Sequence, residues 1–144
     1  MDQVKFHTDR LRASGLRPTK QRLALCKILF DRKETFHFTI EKLQQIAQRY
    51  SKKKISLATL YNTVHAFKKM GYLKEISLKK NKTFFDTNTK NHHHFYDESS
   101  AELIDIKNEN IFVKNLPNAP DGKKIREIDI TIRVDNNNQK QKNN

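Results

Sequence analysis

The chain has 144 residues, 35% of them hydrophobic, which suits one ordinary domain or two very small ones and leaves too little core for an enzyme with a deep cleft. No run approaches 18 apolar residues, the start Met1-Asp2-Gln3-Val4-Lys5 lacks a signal-peptide core, and the single cysteine, Cys26, supports neither a disulfide framework nor a four-cysteine zinc site, so a soluble cytoplasmic protein is expected. Lys and Arg number 29 against 16 Asp and Glu, a net charge of +13.

That charge is uneven. Residues 1–75 hold 17 basic and 6 acidic side chains, whereas residues 76–144 hold 12 and 10. A lysine-rich composition would raise both parts alike. The asymmetry indicates that the N-terminal part faces a polyanion, most simply nucleic acid.

In chain order, the pattern predicts a first helix over 3–13, closed by Ser14-Gly15, with Pro18 unable to continue it. Thr19 caps a second helix whose inward side is Leu23, Cys26, Leu29 and Phe30, and Asp31-Arg32-Lys33-Glu34 breaks it. Thr39 caps a third, with Ile40, Leu43, Ile46, Ala47 and Tyr50 spaced three and four apart. After the linker Ser51-Lys52-Lys53-Lys54, Ser56 caps a fourth helix with Leu57, Leu60, Val64, Phe67 and Met70 as its apolar stripe, ended by Gly71. Two extended runs, 72–77 and 83–86, flank the polar turn Leu78-Lys79-Lys80-Asn81-Lys82. Short helices followed by a basic hairpin are the order of a winged helix-turn-helix.

Residues 87–91 read as a hinge. Beyond it, 94–97 and 102–106 form a hairpin-like pair, 108–116 a short helix, and Ile128, Ile130, Ile132 and Val134 alternate with polar residues as a strand with one buried face. About 45 residues are too few to be stable alone, and a second copy of the chain is the simplest partner for such a sheet. The expected class is therefore α+β. Residues 1–86 form a winged-helix DNA-binding domain and 92–134 a small α/β dimerisation and ligand-sensing domain, followed by a disordered tail over 135–144.

Outside its apolar stripe the fourth helix carries Ser56, Thr59, Asn62, Thr63 and Lys69, with Tyr61 at the flank. Short polar groups near a helix start suit a major groove, where Asn pairs with adenine and Thr or Tyr touches a thymine methyl; the plain alternative is a solvated face. Within Gly-Leu-Arg-Pro-Thr-Lys-Gln-Arg at 15–22, Arg17 projects from a loop stiffened by Pro18 and suits a narrow A·T-rich minor groove. Lys20 and Arg22 start the following helix, and Arg22 is expected at a phosphate. Solvated charges are the alternative here.

Of six histidines, His92, His93 and His94 are consecutive, so a strand would turn His92 and His94 to one side and His93 to the other. Asp86, Glu102 and Asp105 are carboxylates that can join them, and His37 lies in the loop before the third helix. His, Asp and Glu suit Zn2+, Mn2+ or Fe2+. His7 and His65 read as surface residues. No glycine-rich phosphate loop, His-Glu-x-x-His or Gly-x-Ser-x-Gly occurs, and Cys26 falls on a buried face, so no enzyme is expected.

Gly-Leu-Arg-Pro-Thr-Lys-Gln-Arg at 15–22, Ser-Leu-Ala-Thr-Leu-Tyr-Asn-Thr-Val at 56–64 and His-His-His at 92–94 resemble the ferric uptake regulator family. Thr-Phe-Phe-Asp-Thr-Asn at 83–88, His-His-His-Phe-Tyr at 92–96, Leu-Ile-Asp-Ile at 103–106 and Asn-Leu-Pro-Asn-Ala-Pro-Asp-Gly at 115–122 are similar to its haem-responsive iron response regulator branch of alphaproteobacteria. The resemblance implies a homodimeric regulator of iron and haem genes that binds an A·T-rich operator. It places Arg17 in the minor groove, Tyr61 in the major groove, and a metal-sensing site at His37, Asp86, His94 and Asp105. Phe95 and Tyr96 stand where the family has Asp and His, which removes a second metal site and a ligand of the first. The branch implies haem bound through His92, His93 and His94, with haem lowering DNA affinity. The alternatives are a repressor of the same family sensing Mn, Zn or Fe, and a basic nucleic-acid-binding protein without sequence preference.

Overall fold

The computed structural model describes residues 2–52, 54–78 and 82–137. The chain divides into two compact units, Met1–Thr89 and Lys90–Asn144. The expectations for Lys53, for turn residues 79–81 and for tail residues 138–144 lie outside the described residues.

In the first unit the elements run α1 (Gln3–Ala13), α2 (Lys20–Phe30), β1 (His37–Phe38), α3 (Ile40–Tyr50), α4 (Leu57–Lys69), β2 (Lys74–Leu78) and β3 (Lys82–Asp86). Each helix starts where a side-chain oxygen takes up an orphan backbone N–H. The Asp2 carboxylate accepts from Val4 and Lys5, and the Thr19, Thr39 and Ser56 hydroxyls accept from Arg22, Lys42 and Thr59. Gly15, at φ 75°, ends α1, and Gly71, at φ 81°, ends α4; both are left-handed positions that strain any residue with a Cβ.

Leu11, Leu25, Leu29, Leu43, Leu60, Val64 and Phe67 close the helices around one core, to which Phe38 and Phe85 are added from the strands. The strands form a three-stranded antiparallel sheet in the order β1-β3-β2. Lys68, at the end of α4, pairs with Glu75 on β2 and ties the helix to the wing.

Several expectations change. His37 is not in a loop: β1 pairs with β3 and sets His37 opposite Asp86, a two-residue strand too short for any periodicity to reveal. Tyr50, Leu57 and Met70 face outward rather than into the core, because each lies at a helix end beyond the reach of the packed layer. Thr63 is buried, its hydroxyl satisfied by the Thr59 carbonyl at 2.7 Å. His7 is also buried, with Nε2 2.8 Å from an Asp31 carboxylate oxygen, whereas His65 is at the surface.

The second unit contains β4 (His92–Asp97), β5 (Glu102–Lys107) and β6 (Thr131–Val134) in the order β5-β4-β6, with β4 antiparallel to β5 and parallel to β6. In the turn between β4 and β5 the Asp97 carboxylate accepts the Ser99 hydroxyl and the Ser99 and Ser100 N–H groups. These hydrogen bonds hold its carboxyl below the ordinary range.

The helix expected over 108–116 is only a single 3-10 turn, Asn108–Asn110. Asn115 adopts φ 59° and Pro117 follows, and a helix this short needs a packed face, whereas Phe112 is 82% exposed. The last strand starts at Thr131 rather than 128: the Ile130 carbonyl accepts the His94 N–H, but the Ile130 N–H goes to the His93 ring instead of a β4 carbonyl. Its expected buried face is only partly covered by the described residues: Ile128, Ile130 and Val134 are half-buried and Ile132 is 39% exposed.

The His7–Asp31 pair joins α1 to the end of α2, and His7 Nδ1 is buried without a partner among the described residues. Asp31→Ala therefore strands the whole imidazole. A loss of about 1–3 kcal/mol is expected, read as a lower urea midpoint with an unchanged slope.

Candidate nucleic-acid interface and metal-ligand pairs

The outward side of α4 begins with Ser56, whose hydroxyl lies 2.9 Å from that of Thr59. Ser56 and Asn62 are exposed, Thr59 is half-buried and Tyr61 is 40% exposed. The Tyr61 ring stacks on His65 at 5.9 Å and 14°, and His65 stands edge-on to Phe85 at 6.1 Å. The Tyr61 phenol is thus presented from a braced ring rather than a free one. Leu57, expected in the apolar stripe, lies on this surface instead, together with His65, which is exposed as expected; the spacing Leu57, Tyr61, His65, four residues apart, is the signal that groups them.

Arg17 and Lys20 are exposed at the α1–α2 loop. Arg22 is half-buried, and its Nη1 donates to the Arg17 carbonyl at 3.0 Å. The Thr19 N–H donates to the same carbonyl at 2.9 Å. Two donors therefore clamp the peptide from which Arg17 projects. Arg22, expected at a phosphate, spends part of its guanidinium on that loop.

Each unit carries a cross-strand His–Asp pair. In the first, His37 on β1 is the register partner of Asp86 on β3. Asp86 is 1% exposed and accepts the Asn88 N–H at 2.8 Å. A carboxylate this buried needs further compensation by donors or by a cation.

In the second unit His94 on β4 is the register partner of Asp105 on β5. His94 Nε2 lies 3.2 Å from the Asp105 carboxylate and His92 Nε2 lies 3.5 Å from the same oxygen. The His92 and His94 rings meet edge to face at 4.5 Å. One carboxylate thus gathers two imidazole nitrogens on one side of the sheet. Tyr96, two residues further on that side, is buried, whereas Glu102 is exposed and paired with Asp97.

His93 points to the opposite side, where its Nδ1 accepts the Ile130 N–H at 3.1 Å. That bond fixes the proton on Nε2 if the ring is neutral. His92 Nδ1 contacts the Lys90 carbonyl at 2.6 Å. That contact occupies Nδ1 and leaves Nε2 as the His92 nitrogen that faces Asp105, the arrangement in which a metal ligand is oriented through its other nitrogen. All three imidazoles are nine-tenths or more buried, and none of these contacts supports haem at His92, His93 or His94.

Cys26 is fully buried in the first unit, and burial pushes its thiol up to about 12. It is a core side chain rather than a nucleophile or thiolate ligand. No helix among the described residues is long and apolar enough to cross a membrane.

The peroxide-responsive repressor PerR of Staphylococcus aureus (strain Mu50) is 34% identical over 97 residues, 67% of this chain and 64% of that protein. The chain therefore spans just under two thirds of that relative's length. Among solved structures, the ferric uptake regulator of Vibrio cholerae superposes with a TM-score of 0.65 at 19% identity, covering 89% of this chain and 98% of the other. The ferric uptake regulator of Pseudomonas aeruginosa, solved with manganese, does so at 0.65 and 18% identity, covering 90% and 97%. These likenesses extend the α+β fold to nearly the whole chain. The profile of the ferric uptake regulator family matches residues 13–133, and the chain belongs to that family.

Proposed function

We propose that the chain is a dimeric, sequence-specific DNA-binding transcriptional regulator whose DNA affinity is set by a divalent ion. The ion is held by His37 and Asp86 of the first unit together with His94 and Asp105 of the second, with His92 as a further nitrogen donor. The observation that carries this reading is the pair of His–Asp registers, one in each unit. The donors fit: imidazole nitrogens and carboxylate oxygens suit Mn2+, Fe2+ or Zn2+, and Asp86 is a carboxylate already stripped of water. The ion would supply a double positive charge toward which both carboxylates and the imidazoles are drawn. The manganese in the Pseudomonas structure is consistent with this choice.

The chain's own residues do the rest. The Lys90 carbonyl orients the His92 ring through Nδ1, and His94 shares the Asp105 oxygen with it. The exposed apolar side chains of the second unit, Ile104, Phe112, Leu116 and Ile132, are what a second copy would cover. In a dimer, the two α4 helices would enter successive major grooves about one helical turn apart, with Ser56, Thr59, Tyr61 and Asn62 toward base edges and Arg17 in an A·T-rich minor groove. Lys20 and the free part of Arg22 face phosphates.

Haem is the reading we set aside. An axial ligand needs an imidazole free to turn toward a macrocycle, and His93 is engaged by Ile130 while His92 and His94 converge on Asp105. A role in iron homeostasis, or in the peroxide response for which the Staphylococcus relative is named, rests on which ion the site holds and which genes carry the operator.

Fluorescence anisotropy on a duplex selected from a random library tests the effector. Mn2+ should tighten binding about tenfold or more over the metal-free protein, a coupling typical of allosteric effectors. His37→Ala and Asp105→Asn should each remove the Mn2+ response and leave the metal-free affinity unchanged. Tight metal-free binding that haem releases would overturn the ion reading in favour of the haem branch.

The same duplex tests the interface. Arg17→Ala and Tyr61→Ala should each cost about 1–3 kcal/mol, and Arg17→Ala should most reduce discrimination for A·T-rich flanks. Lys20→Ala should weaken selected and random duplexes alike and lower the salt slope by about 1. Equal affinity of the unmutated protein for both duplexes would leave only a basic coating protein.

A further inference from the structure

We propose a second ligand site, built wholly from the first unit, for a small organic carboxylate with an apolar body. Between α1, the end of α2 and the segment after α4 lies a cavity of about 420 Å³, within the size range of small-molecule sites, about 300–1,000 Å³. Arg10 lines it. The guanidinium carbon stands 4.8 Å from the Phe6 ring, 4.3 Å from Phe30 and 4.4 Å from Tyr72. Three aromatic rings hold the group in place through cation–π contact. Among the described residues, no hydrogen bond or ion pair is made by its five N–H donors.

That is an unusual use of an arginine. A half-buried guanidinium normally spends its planar fork on carboxylates or carbonyls. Here its position is fixed and its donors are left over, which is the preorganisation an anion site requires. Arg32 and Lys33 line the same cavity against a single carboxylate, Glu34, so the local field favours an anion. Phe6, Leu29, Phe30 and Tyr72 offer apolar surface beside the cationic centre, so the chemistry asks for a charged head joined to an apolar body.

The far wall explains what occupancy would touch. Thr87 and Thr89 line the cavity, and Thr87 is tied back by the Phe36 N–H donating to its hydroxyl at 3.0 Å and by its own N–H to the Phe36 carbonyl at 3.1 Å. Thr89 is the last residue before the second unit. A carboxylate seated on Arg10 lies against the chain segment that leads out of the DNA-binding unit.

Titration calorimetry on the full chain, with benzoate as the probe, tests the site against benzamide, its neutral counterpart, and inorganic phosphate. Saturable benzoate binding is expected, with benzamide about tenfold weaker or worse and Arg10→Met weakened by a similar factor, the loss of one charge-assisted contact. Methionine keeps the contact with the rings. Should that variant fail to fold, the wild-type protein still decides the matter: benzoate should shift the amide resonances of Arg10, Tyr72 and Thr89, together with the Arg10 side-chain N–H. The proposal falls if benzoate gives no saturable signal into the millimolar range, or if benzamide or the Arg10→Met protein binds as tightly as the original pair. It falls equally if phosphate matches benzoate, which reduces the site to a bare anion contact, or if the shifted resonances lie elsewhere in the chain.

Discussion

Two strand registers carry the rest of this molecule. β1 against β3 sets His37 opposite Asp86, and β4 against β5 sets His94 opposite Asp105. Side chains alternate along a strand, so a slip of one residue in either ladder would turn one member of its pair to the other face of the sheet. The registers are held by different means. In the first unit Phe38 and Phe85 are also partners and sink together into the helical core, their rings 5.8 Å apart. In the second, the tight turn closed by Asp97 fixes how many residues separate the strands.

The two units differ in what they bury. The first spends its interior on Leu, Ile, Val and Phe and reads as an independently stable body. The second buries Tyr96, Leu103 and Ile106 along with three consecutive histidines, while Ile104, Phe112 and Ile132 stay in water. Buried imidazoles cost desolvation that only bonding partners offset, and Lys90, Asp105 and Ile130 supply them. A unit with so small an apolar interior would gain stability from the proposed ion and from a second copy of the chain. In the proposed function, assembly, metal and fold therefore draw on one free energy.

At the proposed DNA interface, the same logic places flexible charge on stiff supports. Arg17 extends from a peptide whose carbonyl is clamped by Arg22 and Thr19, and Tyr61 is braced by His65, itself packed against Phe85. Rigid presentation lowers the entropy lost when a side chain enters a groove. Arg10 shows the same economy within the first unit, its guanidinium fixed by rings rather than by hydrogen bonds.

By itself the sequence determined the four helices, their caps at Thr19, Thr39 and Ser56, the glycine stops and the hairpin strands, because those signals are local: a hydroxyl before an apolar period, a glycine after it, alternation over five residues. The His92 and His94 side was legible for the same reason. Tertiary structure alone decided that a two-residue strand at His37 would find Asp86, that Thr63 would turn inward and Leu57 outward, and that His7 would be buried on Asp31. It also left 111–116 without a helix, since Phe112 and Leu116 stay exposed, with no covering surface among the described residues. Each of these outcomes depends on a partner distant in sequence, or on the lack of one, and no local pattern encodes that.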